Sequence, residues 1–235
     1  CAEESVAIAR KLLKRGCRLE GVPGFFMNYH GDWEIAFYQK NNGYLCPVWS
    51  DEGLLIAFQI RLDVPYQKRK YVWLSSAKME KGCSPGSPVS FSGVLNSPVI
   101  YVTEGVLKAE AAYQRTGHPY LGNPGVSAYK ELELALNRLK AHGVKVVIEA
   151  NDMDKCIRLH CDRAYSEACA DCEGSSHECP KKREKRDHIR KGCLKLYEIC
   201  EKLGLICKRA VWDTDDEGYW EENYKGIDDW ELREL

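Results

Sequence analysis

Three acids in the second half of the chain are placed to do metal-assisted chemistry. Glu104 follows the apolar run 99–103, and Asp152 and Asp154 follow the apolar run 145–150. If both runs are parallel strands, their carboxyl ends form the edge where α/β sheets bind ligands, and the three carboxylates meet there. On an extended segment, an Asp-x-Asp pair turns both side chains to the same side. Mg²⁺ or Mn²⁺ suits such a set, because Mg²⁺ takes one or two protein carboxylates and leaves room for water and phosphate oxygens. The chemistry it would support is phosphoryl transfer. The plain alternative is that the acids solvate loops or cap helices, as short motifs often do.

A second cluster is made of thiols. Five of the twelve cysteines fall between Cys156 and Cys179, a crowding that points to metal more than to disulfides. Cys169-x2-Cys172 with Cys179 supplies three ligands of the type that holds tetrahedral zinc, and Cys161 is the expected fourth. Cys156, His160 and His177 are the other candidates nearby. A continuous helix over 155–169 would set Cys161 and Cys169 about 12 Å apart, too far for one ion. The helix must therefore break, or His177 replaces Cys161. Such a site would be structural, stapling an insertion that has no core of its own; unliganded thiols are the alternative.

The elements that would position these groups change character near residue 97. Residues 4–15 show helical spacing of Val6, Ala9, Leu12 and Leu13, with Gly16 as the stop. Runs 33–38, 43–48 and 54–61, separated by turn residues, predict an antiparallel sheet. The Gly-, Pro- and Ser-rich stretch 82–97 reads as a connection. Strand and helix then alternate: strands at 99–103, 119–121, 145–150 and 205–212, and helices at 106–115, 127–142 and around 189–203. This alternation predicts an α/β fold with a parallel sheet covered by helices. The expected organisation is a smaller mixed α+β subdomain over 1–96 and an α/β domain over 97–235, with a Cys-rich insertion at about 156–187.

Composition sets limits. With 44% hydrophobic and 29% charged residues the chain is globular in type. A net charge of −1 provides no global field for nucleic acid, so any such contact needs local cations such as those of 68–70 or 181–191. No window reaches the roughly 20 apolar residues of a membrane span, and no secretory signal opens the chain. We therefore expect a cytoplasmic protein without a membrane partner. Cys1, standing where a methionine would open a whole chain, leads us to expect flanking sequence.

The run Val102-Thr103-Glu104-Gly105, then Lys108-Ala109, Asn123-Pro124-Gly125-Val126 and Asn151-Asp152-Met153-Asp154, resembles the TOPRIM domain of DnaG-type primases in order and spacing. Upstream, Val22-Pro23-Gly24-Phe25-Phe26, Cys46-Pro47-Val48, Phe58-Gln59-Ile60-Arg61 and Lys70-Tyr71 are similar to the N-terminal subdomain of the primase catalytic core. The resemblance is nearest to the primase-like proteins of plasmids and mobile elements, which carry a late motif like Lys225-Gly226-Ile227-Asp228-Asp229. It implies a Rossmann-like TOPRIM sheet with helices on both faces. Glu104 would be the acid/base or metal ligand, and Asp152 and Asp154 the Mg²⁺ pair. Gly105 would permit close backbone approach, and Arg61, Lys70, Lys108 and Arg69 would contact phosphates of template or nucleotide. The implied partners are a single-stranded DNA template, nucleoside triphosphates and a replicative helicase, separate or fused. The implied activity is primer synthesis, with a TOPRIM endonuclease or a noncatalytic nucleic-acid-binding module as alternatives. Asp228 and Asp229 would add metal-binding or helix-capping oxygens.

The thiol cluster makes a direct prediction. Protein purified without chelator should carry about one zinc per chain; elemental analysis finding none would remove the zinc site.

Overall fold

The computed structural model describes residues 2–38, 41–67, 69–125, 128–160 and 178–233, and it divides into two compact units, Cys1–Pro88 and Val89–Leu235. Among the described residues, no helix is long and apolar enough to cross a membrane.

The first unit opens with α1 (Ala2–Lys14), followed by the antiparallel pair β1 (Phe25–Met27) and β2 (Trp33–Ile35). A second antiparallel sheet has the order β3 (Gly43–Trp49), β4 (Leu55–Tyr66), β5 (Arg69–Trp73). Its core is small: Ile35, Ile60, Leu62 and Leu74, with Phe25, Phe58 and Val72 against them. β4 runs past the expected end at 61. It carries Pro65 where its pairing with β5 shifts register, a place where a missing N–H breaks no regular ladder.

The second unit is a five-stranded sheet. Its strands are β6 (Ser90–Ser92), β7 (Val99–Glu104), β8 (Tyr120–Asn123), β9 (Val146–Glu149) and β10 (Ile206–Arg209), in the order β10-β9-β7-β8-β6. The three pairings β10–β9, β9–β7 and β7–β8 are parallel, and β6 pairs antiparallel with β8 at one edge. β6 lies inside the stretch expected to be a plain connection. Three residues, Ser-Phe-Ser, are too short to show a period, but Phe91 is buried in the core.

Helices cover both faces. Between β7 and β8 comes α2 (Val106–Thr116), whose Ala109 and Ala112 pack with Tyr120, Met153, Trp212 and Ile227. On the other face, α3 (Tyr129–Ala141) contributes Leu132, Leu136 and Leu139, and α4 (Pro180–Leu203) contributes Leu196, Ile199 and Cys200. A short α5 (Ile227–Glu231) packs on α2. The first two turns of α4 fall within the residues 156–187 assigned above to an insertion. They start at Pro180, a residue pre-set for the first helical position.

The chain leaves β7 toward β8 on one side and leaves β9 toward β10 on the other. The connections from these two adjacent central strands thus diverge, which opens a crevice at their carboxyl ends. Close packing sets the depth of one wall. A Cβ at Gly122 on β8 would stand 2.9 Å from the Gly105 carbonyl oxygen and the Val106 Cα, and 3.0 Å from the Ala109 Cβ. Backbone atoms cannot swing aside as a side chain can. Gly122→Ala should therefore force α2 off the sheet and cost about 1–3 kcal/mol, read as a lower urea midpoint. An unchanged midpoint would show that α2 does not rest on this glycine.

Candidate active site

The two central strands deliver the acids to that crevice. β7 is a β-branched run buried on both sides, with Ile100, Val102 and Thr103 at 2% exposure or less, and it ends on Glu104. Gly105 follows with φ +100°, a conformation that favours glycine, and turns the chain into α2. One turn into that helix stands Lys108. On the neighbouring strand, β9 ends at Glu149, and Asn151 and Asp152 come next, both buried.

Asp152 and Asp154 do not share a side through extended backbone. Asp152 has extended dihedrals, but Met153–Cys156 is a 3₁₀ turn, and the chain is extended again at Ile157. What joins the two carboxylates is a lysine that arrives from the far end of the sequence. Lys225 Nζ lies 2.5 Å from Asp154 Oδ2 and 3.5 Å from Asp152 Oδ2. Lys108 Nζ forms an ion pair with the other Asp152 oxygen, Oδ1. The Met153 N–H also donates to the Lys225 carbonyl at 2.9 Å, which ties the C-terminal segment to the acid loop.

The electrostatics follow from this crowding. Burial, and then the charge of Asp152, push the Glu104 carboxyl above its ordinary value, while Lys108, Lys225 and His188 pull it down. Burial opposes the charge of Lys225, yet the Asp154 hydrogen bond and both aspartate charges hold its ammonium above the usual lysine value. Asp228, at the start of α5, is raised by burial and by Asp229, with Lys108 acting in the opposite direction. Asp229 instead caps its helix, accepting the Gly226 N–H at 3.1 Å.

The oxygen donors fit a hard divalent cation. Asp228 Oδ1 and Asn123 Oδ1 are buried without a hydrogen-bond partner. Asn123 pairs with Glu104 across β7 and β8. Among the described residues no three His, Cys, Asp or Glu side chains form a ready-made cage.

The structure brings Glu104, Lys108, Asp152, Asp154 and Asp228 to one neighbourhood, with Gly105 at its rim. Arg61 and Lys70 belong to the first unit. Arg61 lies over the Tyr71 ring at 5.1 Å and is in register with Tyr44 and Tyr71, so the three form a row across the sheet. Lys70 is exposed, and its carbonyl accepts from Arg61 Nη1 at 3.5 Å. Of the proposed zinc ligands, Cys161, Cys169 and Cys172, with His177, lie outside the described residues. Cys179 is half-buried at the start of α4. His160 and Glu178 pair in an antiparallel bridge that holds the two described ends of that stretch together, and no helix continues from 155 to 160. Lys225 is the residue that sequence reasoning missed as a site member. Its only signal was its place in the motif with Gly226 and Asp228. A Cβ on Gly226 would fall 2.1 Å from Asp228 Oδ1 and 3.4 Å from Lys108 Cε, so glycine is needed there to keep the cluster closed.

No protein-family profile matches the sequence, and no curated protein matches it. Solved structures do. The zinc-binding and RNA polymerase domains of the Aquifex aeolicus primase align over 100% of this chain and 46% of that one, at 13% identity and a TM-score of 0.55. A DnaG primase catalytic domain bound to single-stranded DNA aligns over 60% of this chain and 41% of its own, at 16% identity and a TM-score of 0.34. The first likeness shows the fold: the chain has a primase-like α/β architecture. It spans about half the length of that structure.

The raised Glu104 carboxyl gives a stability test in the absence of metal. At a pH between its unfolded and folded values the native state holds a proton that the unfolded state has lost. Stability is therefore full below about pH 4.3 and falls as pH rises through the folded value. Glu104→Gln removes this loss. In EDTA at pH 7 its melting temperature should exceed that of the wild type by on the order of 1–4 °C, with the gain vanishing near pH 4. Equal melting at both pH values would mean that the carboxyl is unperturbed.

Proposed function

We propose that this chain is a primase-like catalytic core of the TOPRIM type, which joins nucleotides on a single-stranded DNA template with Mg²⁺ or Mn²⁺. The observation that carries the reading is the convergence of Glu104, Asp152 and Asp154 on the crevice between β7 and β9, two paired strands whose connections diverge. The motifs at 102–109, 151–154 and 225–229 support the same branch, that of primase-like proteins from plasmids and mobile elements.

Asp152 and Asp154, with Glu104 or Asp228, would hold the cation. When bound it neutralises charge on the reacting phosphate and orients it. The other steps belong to the chain's own groups. Glu104, whose carboxyl is raised by burial, is the group placed to take the proton of the attacking 3′-hydroxyl. That oxygen bonds to the α-phosphorus while the bond to the pyrophosphate oxygen breaks. Lys108 and Lys225, now spent on carboxylates, supply positive charge to the leaving group as it forms. In the first unit, the row Tyr44, Arg61 and Tyr71 offers ring faces and a guanidinium to unpaired bases, and Lys70 and Arg69 add charge for phosphates. A structural zinc on Cys169, Cys172, Cys179 and Cys161 would staple the stretch between the His160 and Glu178 ends.

The test is incubation with single-stranded DNA, labelled nucleotides and Mg²⁺, scoring both longer and shorter products. Extension is expected. Shortening without extension would make the chain a nuclease using the same acids. Asp152→Asn should abolish product while leaving DNA affinity equal or slightly higher, because the amide keeps the shape and removes a charge that repels phosphate. Arg61→Ala should instead weaken template binding and flatten its salt dependence by about one counterion. Full activity of Asp152→Asn at saturating Mg²⁺ would leave a noncatalytic binding module as the better reading.

A further inference from the structure

A second layer of charge lies against the acid loop, centred on a fully buried ion pair. Glu149, the last residue of β9, is fully buried, and Lys155, just past Asp154, is 1% exposed. Lys155 Nζ donates to Glu149 Oε1 at 2.9 Å, and the same oxygen accepts the Asn151 N–H at 2.8 Å. The other oxygen, Oε2, accepts the Tyr197 hydroxyl at 3.1 Å, with Arg209 Nε at 3.6 Å. Arg209 Nε also donates to the Tyr197 oxygen at 2.9 Å. The Lys155 ammonium faces the Trp212 ring at 5.2 Å, and the Lys155 carbonyl accepts Arg190 Nε at 2.9 Å. Asn151 Nδ2 donates to Cys193 Sγ at 3.7 Å. Arg190, Cys193 and Tyr197 lie at i, i+3 and i+7 of α4, so one stripe of that helix serves the whole network.

Stability alone does not account for this arrangement. A buried ion pair is commonly matched or bettered by apolar residues of the same volume. Its position is more telling. Glu149 stands before the two aspartates and Lys155 after them, so the pair closes residues 149–155 across their base. One of its oxygens also holds the amide directly before Asp152.

We propose that the Glu149–Lys155 pair, seated on Tyr197 and Arg190 of α4, is a clasp that sets the position of the Asp152 and Asp154 carboxylates. These are positioning residues, acting through the aspartates on cation and phosphate. The inference rests on the metal-site reading above. It adds that cation affinity is controlled from the opposite side of the loop, by groups the cation never touches.

The test is the double variant Glu149→Gln/Lys155→Met, which removes both charges together and leaves no buried charge unpaired. Three quantities are compared with the wild type: melting temperature, Mn²⁺ affinity by electron paramagnetic resonance, and hydrogen exchange of amides 150–156. A clasp predicts near-wild-type melting, Mn²⁺ affinity weaker by about tenfold or more, and faster exchange confined to that loop. In the extension assay kcat should fall with template KM unchanged. A folded double variant with wild-type Mn²⁺ affinity and wild-type loop exchange would overturn the clasp while leaving the metal site standing. If the wild type takes up no Mn²⁺, the metal-site reading fails, and loop exchange alone then judges the clasp. Should the double variant not fold, Tyr197→Phe removes a single hydroxyl from the same network. It should weaken Mn²⁺ binding by about threefold; no change would overturn the proposal.

Discussion

Negative charge gathered on one edge of a sheet is the constraint on which the second unit depends. Two carboxylates about 4 Å apart repel by about 1 kcal/mol in water and about 4 kcal/mol near a protein surface, so an uncompensated cluster would oppose folding. Lys108 and Lys225 supply the compensation. The need for Lys108 requires α2 to start directly after Glu104, which Gly105 permits with its positive φ. The need for Lys225 requires the C-terminal segment to return to the crevice. That return is secured by the Met153–Lys225 backbone bond, by Ile227 in the core under α2, and by Arg115 donating to the Glu231 carbonyl at 3.1 Å.

The same requirement explains why this region is rich in buried polar groups. Exposed ion pairs such as Lys195 with Glu198 or Arg10 with Asp32 are screened by solvent and position little. A pair as buried as Glu149 and Lys155 costs several kcal/mol to desolvate before its partners repay it, so its main product is a defined geometry. The upper layer of lysines balances the acids, and the lower layer fixes the loop that carries them. Both layers are anchored by helices on opposite faces of the sheet, α2 above and α4 below, which couples the site to the fold as a whole.

Much of this was legible in the sequence. Strand and helix alternation from 99 onward led to the parallel sheet, and the rule that ligands bind beyond strand carboxyl ends led to Glu104, Asp152 and Asp154. The parts that were hidden share a physical cause. β6 is three residues long, below any usable period. The start of α4 is polar on every side, so only the part of the helix from about 189 showed apolar spacing. Lys225 reaches the acids across more than seventy residues of chain, a contact that no local pattern encodes. Nothing in the sequence marks Glu149 and Lys155, because such residues are seldom buried, and only the fold reveals that each is the other's partner. The shared orientation of Asp152 and Asp154 was reasoned from an extended segment; in the structure a 3₁₀ turn intervenes, and Lys225 does the joining.

The central claim is that these carboxylates form a divalent-cation site, and the anomalous scattering of Mn²⁺ in crystals of the protein tests it most directly. A peak at metal–oxygen distance, about 2.1 Å, from an oxygen of Asp152 and of at least one of Glu104, Asp154 or Asp228 is the predicted result, with Lys225 displaced from Asp154. Crystals soaked to saturation that show Mn²⁺ elsewhere, or show Asp152 still paired with both lysines and no ion beside it, would contradict the account.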